Sequence, residues 1–313
     1  MLTILRKIIA VIISFFVFLP ISVTPWYSFD ENAEMTAIVI SDTHFEGNST
    51  DHWNNNGYGF ANAFASTEKA DAVCILGDQT MNSQDIEWLF FYGFLSRYDV
   101  LDRTIMAFGN HDFGNTDSAE VYDETSARAF SYYNSFCGKS IDKPYYSATV
   151  NGYKFIVLGS DKNMENTVQY IGEEQLEWFR NELATAGGDT VFVLNHNLIY
   201  GTTGWQSRYS FNQIEGGDEI RAAMEAYSGN VVYLCGHSHY GVYEGSVATI
   251  GNVTYCNLPS FGNGGNYDAV NSAGEDSGCG LTIEAFEDYI RLSFVNFTEH
   301  TAVEGFDNII IYK

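Results

Sequence analysis

The chain has 313 residues, 45% of them apolar and 16% aromatic. That suffices for one large α/β domain with a substantial core and excludes a disordered composition. With 40 acidic residues against 15 basic ones the formal charge is −25, so no basic groove for nucleic-acid phosphates is expected. The acidity is that of a solvated surface, and an anionic substrate is still admissible where metal ions supply local positive charge.

In chain order, Arg6 and Lys7 come first, followed by an apolar stretch from Ile8 to Val23 that Pro20 interrupts; the first acidic residue is Asp30. Basic residues ahead of an apolar run are the layout of an export signal. Residues 1–24 are therefore expected to form a signal peptide or an N-terminal membrane anchor. Ser22-Val23-Thr24 followed by Pro25 is a poor cleavage site, and the run is short for a membrane span, so secretion and tethering both stay open. Either way the domain is expected outside the cell or on its surface. The five cysteines, Cys74, Cys137, Cys235, Cys256 and Cys279, show no CxxC pairing, which points to neither a zinc ribbon nor a disulfide framework.

From Met35 onward strand-like and helix-like segments alternate. "MTAIVIS", "AVCILGD" and "RTIMAFGN" are apolar runs, each ending in Gly or a polar cluster. Helix-like spacing is found at Phe60–Lys69, Gln84–Tyr98 and Asp117–Phe136. That rhythm predicts βαβ units and a largely parallel sheet. "YYSATV" and "YKFIVLGS" flank Asn151-Gly152, a strong hairpin turn. A helix ("GEEQLEWFRNELATA"), a strand ("TVFVLNH"), a long polar loop, a helix (Asp218–Tyr227) and a strand ("NVVYLCGH") follow. The remainder is strand-rich, from "SVATI" to "NIIIYK". The pattern predicts two sheets packed face to face with helices outside, in one domain spanning residues 35–313.

The polar residues that end these strands form a series. "SDTH" offers Asp42 and His44, "GD" offers Asp78, and "GNHD" offers Asn110, His111 and Asp112. "LNHN" offers His196, and "CGHSH" offers His237 and His239, so five of the seven histidines lie in these motifs. Ligands of an open α/β sheet collect at the carboxyl ends of its strands, so motifs spread over two hundred residues should converge. Alternate residues of an extended segment share a side, which lets both imidazoles of HxH face one metal region. Carboxylate, imidazole and amide donors without a thiolate suit Mn, Fe, Zn or Ni.

The series DxH, GD, GNHD, H, GHxH resembles that of the calcineurin-like metallophosphoesterases, and it covers the chain after the leader. Closest in character are small bacterial phosphodiesterase-like members and their exported relatives. The resemblance implies an α/β fold, a four-layer α/β/β/α sandwich of two mixed sheets flanked by helices. It implies two divalent metal ions, one held by Asp42, His44 and His239, the other by Asn110, His196 and His237. Asp78 and a hydroxide would bridge them, and that hydroxide would attack a phosphomonoester or phosphodiester. His111 would sit by the leaving-group oxygen as its acid, and Asp112 would orient the His111 ring. A small phosphate ester is then the expected substrate.

Departures from relatives narrow the reading. Purple acid phosphatases have a tyrosine ligand three residues after the bridging aspartate, where this chain has Met81, so a ferric-tyrosinate centre is not expected. The "GDxVDRG" of protein serine/threonine phosphatases is here "GDQTMNS", without their arginine. After His196 the chain reads "NHN" where many relatives have a proline. Trp53, Tyr58, Trp205 and Tyr209, with Arg208, stand in loops that are candidates for rimming the site, while His52 and His300 are read as non-ligands. Two alternatives are an exported binding protein that keeps the fold without turnover, and a structural single-zinc protein. The second has more ligands than one tetrahedral ion needs.

Overall fold

The runs MTAIVIS, AVCILGD and RTIMAFGN each become a strand, because a sheet covered on both faces favours apolar residues at nearly every position. The structure, a computed structural model, describes residues 4–9, 12, 26–47, 59–65, 67, 69–204, 206–209, 213–262 and 278–313. Most of the leader, residues 1–24, lies outside the described residues. No helix among those described is long and apolar enough to cross a membrane.

The first half contains β1 (Met35–Ile40), β2 (Ala72–Leu76), α1 (Asp85–Leu95), β3 (Thr104–Ala107) and α2 (Ala119–Cys137). Next come β4 (Tyr146–Val150), β5 (Tyr153–Val157), β6 (Gln169–Tyr170), α3 (Glu173–Thr185) and β7 (Val191–Leu194). The chain continues through β8 (Ile214–Glu215), α4 (Gly217–Glu225), β9 (Val231–Cys235), β10 (Val247–Ile250) and β11 (Val253–Asn257). It ends with β12 (Cys279–Ala285), β13 (Tyr289–Asn296), β14 (Thr301–Ala302) and β15 (Ile309–Tyr312). The Asn151-Gly152 turn joins β4 to β5 with φ of 49° and 90°, the left-handed pair that a tight hairpin demands. Of the expected Phe60–Lys69 helix, residues 59–64 are helical.

One sheet runs in the order β14-β13-β12-β1-β2-β3, with β15 also paired to β13. The other runs β10-β11-β9-β7-β5-β4, and β6 and β8 form a separate two-stranded ribbon. Strands β1, β2 and β3 are parallel, as are β5, β7, β9 and β11, so each sheet presents a row of carboxyl ends. Alternation along the strands makes the layers. Ala37 and Val39 of β1, with Cys74 and Leu76 of β2, face Phe192, Leu194, Val232 and Leu234 of the second sheet. Their neighbours Ile38, Ile40, Val73 and Ile75 turn to the other side, against α1 and α2. Across the second sheet, Val193, Val231 and Tyr233 meet Leu176, Phe179, Ile220 and Met224 of α3 and α4. Two mixed sheets sandwiched by helices result, as the sequence leads one to expect.

The α1–α2 layer is unusually aromatic. Tyr92 stacks on Phe136 at 4.6 Å and 11°, and Trp88 on Tyr132 at 6.1 Å and 18°. Such pairs add to area burial and fix the relative rotation of the two helices. The consequence for function is that the start of α1, beside the second strand-end motif, is rigidly held. All five cysteines are buried.

Candidate metal centre

The motif residues leave their strands through backbone that L-residues rarely adopt. Asp42, His44, Asp78, His237 and His239 have φ of 54°, 44°, 52°, 67° and 56°. Left-handed backbone costs a non-glycine residue about 1 kcal/mol or more, and its concentration in five strand-end residues marks a site the rest of the fold stabilises. The DxH and GD loops run side by side beyond their strands: Asp42 N–H donates to Gly77 O at 3.0 Å, and His44 N–H to Asp78 O at 2.9 Å.

Side chains from both sheets then meet. Asp42 Oδ2 accepts from Ser41 Oγ at 2.5 Å and from His237 N–H at 3.0 Å. That leaves Oδ1 facing the imidazoles, 3.1 Å from His239 Nε2 and 3.7 Å from His44 Nε2. Asp78 Oδ1 accepts His111 N–H at 2.9 Å, while Oδ2 lies 3.2 Å from His196 Nε2 and 3.7 Å from His44 Nε2. His44 Nε2 and His239 Nε2 are 2.9 Å apart, and His237 Nδ1 is 3.1 Å from His196 Nε2. His196 Nδ1 donates to Leu76 O at 2.9 Å. A carbonyl can only accept, so Nδ1 carries a proton, and in its neutral form His196 turns a lone pair on Nε2 toward the cluster.

Two sets of ligand atoms thus lie within 4.8 Å of one another: Asp42, His44, Asp78 and His239, and Asp78, His196 and His237. Asp78 belongs to both. Asn110 stands between Gly109, which abuts Asp78 and His196, and His111, which is bonded to Asp78. Its Oδ1 is buried and accepts no hydrogen bond among the described residues, a cost that a cation would remove. Its Nδ2 donates to Asn115 Oδ1 at 3.1 Å, which sets the amide the right way round. Oxygen and nitrogen donors alone, most of them buried, fit divalent ions of hard or borderline character.

The electrostatics ask for the same charge. Burial alone would raise Asp42, yet His239 and His196 hold its carboxyl well below the usual range. Burial opposes the shift at Asp78 too, and His196 and His111 still hold it low. His196, despite burial, is pushed up to about 9 by Asp78 and Asp42, and His239 is raised chiefly by Asp42. His44, for which burial dominates, falls to about 4. A divalent cation among these groups would supply the positive charge that the two carboxylates draw from the imidazoles, and the ligating ring nitrogens would have to be unprotonated to hold it.

Asp112 corrects the sequence reading. Its carboxylate folds back beneath its own turn, where Oδ1 accepts from Thr80 N and Oγ1 at 3.0 and 3.1 Å and Oδ2 from Gly109 N at 3.0 Å. It does not hold the His111 ring. That ring is held by the Met81 carbonyl, 2.7 Å from Nδ1, and packs edge-on against His44 with centroids 4.8 Å apart. Burial and then the Asp78 charge push Asp112 up to about 7, in keeping with a structural clamp. Sequence reasoning missed the Met81 carbonyl, Ser41, Asn115 and Ser260, whose hydroxyl donates to Asp42 O at 2.8 Å. His300 stacks on Trp26 and bonds Asn62 Oδ1, away from the cluster. Tyr209 and Arg208 are exposed, while His52, Trp53, Tyr58 and Trp205 lie outside the described residues.

Asn115→Ala should leave the fold intact and weaken metal binding about tenfold or more, because the Asn110 amide would be free to flip. Titration with manganese, followed by calorimetry, checks this.

With this geometry established, the sequence matches the calcineurin-like phosphoesterase family over residues 35–241, and the chain belongs to that family. It is a metal-dependent hydrolase of phosphoric esters. Among solved structures it is similar to a dimetal phosphatase from Danio rerio, at 13% identity and a TM-score of 0.62, over 90% of this chain and 99% of that one. It is also similar to a purple acid phosphatase from yellow lupin (Lupinus luteus) seeds, at 14% identity and a TM-score of 0.59, over 89% of this chain. The match spans about half, 53%, of the lupin chain. At these identities the likeness is one of fold. No curated protein matches the sequence.

Proposed function

We propose that the chain hydrolyses a small phosphate ester with two divalent cations. Asp42, His44 and His239 would hold one, Asn110, His196 and His237 the other, and Asp78 would lie between them. The observation that carries this reading is the pair of ligand sets sharing Asp78. The description of the zebrafish neighbour as a dimetal phosphatase agrees with it. Cations so held would supply positive charge to the phosphoryl oxygens and acidify the attacking water.

The chain's own contribution is positional. Ser41 and the His237 amide fix Asp42, and Leu76 O fixes His196, so the donors are aimed before any ligand arrives. His111 has its Nδ1–H engaged by Met81 O, so it acts as an acid in its imidazolium form, giving the second proton, on Nε2, to the departing oxygen and returning to the neutral ring. A positioned acid of this kind contributes about 10²–10⁴-fold. His111→Asn should therefore slow an alkyl ester by at least about 10²-fold and a p-nitrophenyl ester far less, since nitrophenolate leaves without a proton. Equal turnover of wild type and variant on the alkyl ester would remove the acid role.

Bis-p-nitrophenyl phosphate and p-nitrophenyl phosphate, assayed with Mn, Fe, Zn and Ni in turn, test the reading and separate diester from monoester preference. Hydrolysis with at least one metal is expected; none with any would leave a binding protein that keeps the fold.

A further inference from the structure

Glu87 is a carboxylate with no exposed surface, on a helix whose buried face is largely aromatic (Trp88, Phe90, Phe91, Tyr92 and Phe94), and neither the metal ligands nor the leaving-group acid uses it. Acids so deeply buried need a partner. Here the partners are N–H groups: Oε2 accepts from Asn82 N at 2.8 Å and Gln84 N at 3.0 Å, and Oε1 from Asn82 Nδ2 at 3.1 Å. The bond to Gln84, the residue preceding α1, is half of a capping box and is explained by helix termination. The bonds to Asn82 are not, because Asn82 lies outside the helix.

The Asn82 N–H shares one planar peptide unit with the Met81 carbonyl. That carbonyl is the acceptor of His111 Nδ1–H at 2.7 Å. Holding the N–H on one side therefore aims the C=O on the other. The segment needs such a hold: Ser83, next in the chain, has a φ of 54°, which a serine adopts only when its surroundings impose it. Met81 N–H to Phe45 O at 2.9 Å and Arg128 Nη1 to Ser83 O at 2.6 Å anchor the two ends, leaving the middle peptide to Glu87.

We propose that Glu87 is a positioning residue for His111, acting through the Met81–Asn82 peptide to set the ring that protonates the leaving group. This rests on the acid role given to His111 above. The carboxylate, peptide and imidazole form a relay that takes the place expected of Asp112.

The test is a double-mutant cycle on an alkyl and a p-nitrophenyl ester of the same phosphate. Glu87→Ala should lower kcat on the alkyl ester about tenfold more than on the aryl ester, with KM unchanged, the cost of a misplaced acid. In the His111→Asn background the same substitution should add less than about a twofold loss. Glu87→Gln keeps an oxygen for Asn82 N–H and should recover the alkyl-ester rate to within about threefold; it also serves where Glu87→Ala does not fold. Equal losses on both esters, persistence of the loss without His111, or a Gln variant as slow as Ala would overturn the proposal. A readout independent of turnover is NMR of the zinc-loaded protein labelled at histidine nitrogen. The His111 Nδ1–H signal, assigned by its loss in His111→Asn, should be present in wild type and displaced in Glu87→Ala. An unchanged signal contradicts the relay, whereas absent wild-type hydrolysis with a displaced signal counts against the acid role alone.

Discussion

Replacing Asp78 with asparagine is expected to lower hydrolysis by at least about 10³-fold, some 4 kcal/mol of transition-state stabilisation. The substitution keeps the side chain's volume and one oxygen but removes the charge from the only residue present in both ligand sets of the described cluster. The oxygen now 3.2 Å from His196 Nε2 would share its place with an NH₂ that repels a cation. Bound metal should fall from two ions per chain to one or none, measured by elemental analysis after dialysis. An Asp78→Asn protein with wild-type turnover and full metal content would show that the carboxylate bridges nothing.

Gly109→Ala should have an effect nearly as large from a residue that carries no chemistry. A Cβ there would stand 2.1 Å from Asp78 Oδ1 and 2.7 Å from both Asp78 N and His196 Nε2. Neither neighbour can retreat: Asp78 Oδ1 is bonded to His111 N–H, and the His196 ring is tied to Leu76 O. Two donors must shift by tenths of an ångström or more, and turnover should fall about 10²-fold or further. Gly138, at the C-terminus of α2, is the control. Its φ is 67°, and a Cβ there would meet nothing within 4 Å. Gly138→Ala should cost about 1 kcal/mol of stability and leave turnover intact. Thermal melts and turnover measured together distinguish the two outcomes.

How much of this was legible before folding depended on whether side chains or backbone did the work. The strand ends were readable because apolar runs buried on both faces stop abruptly at polar residues, as at Ile40-Ser41-Asp42 and Leu76-Gly77-Asp78. The two-sheet architecture was readable from the switch between helix–strand alternation and strand-rich sequence. Asn151-Gly152 was readable because its turn chemistry is local. The ribbon of β6 and β8 was not, since two residues have no periodicity. Nor was the orientation of His111. The sequence places a carboxylate beside the ring, at Asp112, while the fold assigns the contact to a main-chain carbonyl thirty residues away, and every residue has one of those. Met81 attracted notice for the side chain it lacks; its peptide is what the site uses. Glu87 lay hidden as one more acid at a helix start, where acids are common for reasons of capping.

The central claim is that residues from both sheets grip two cations. Anomalous diffraction from crystals grown with manganese tests it most directly. Two peaks about 3.5–4 Å apart are predicted, with Asp78 between them, Asp42, His44 and His239 on one, and Asn110, His196 and His237 on the other. A single peak that does not touch Asp78, or peaks elsewhere and none in this cluster, would contradict the account.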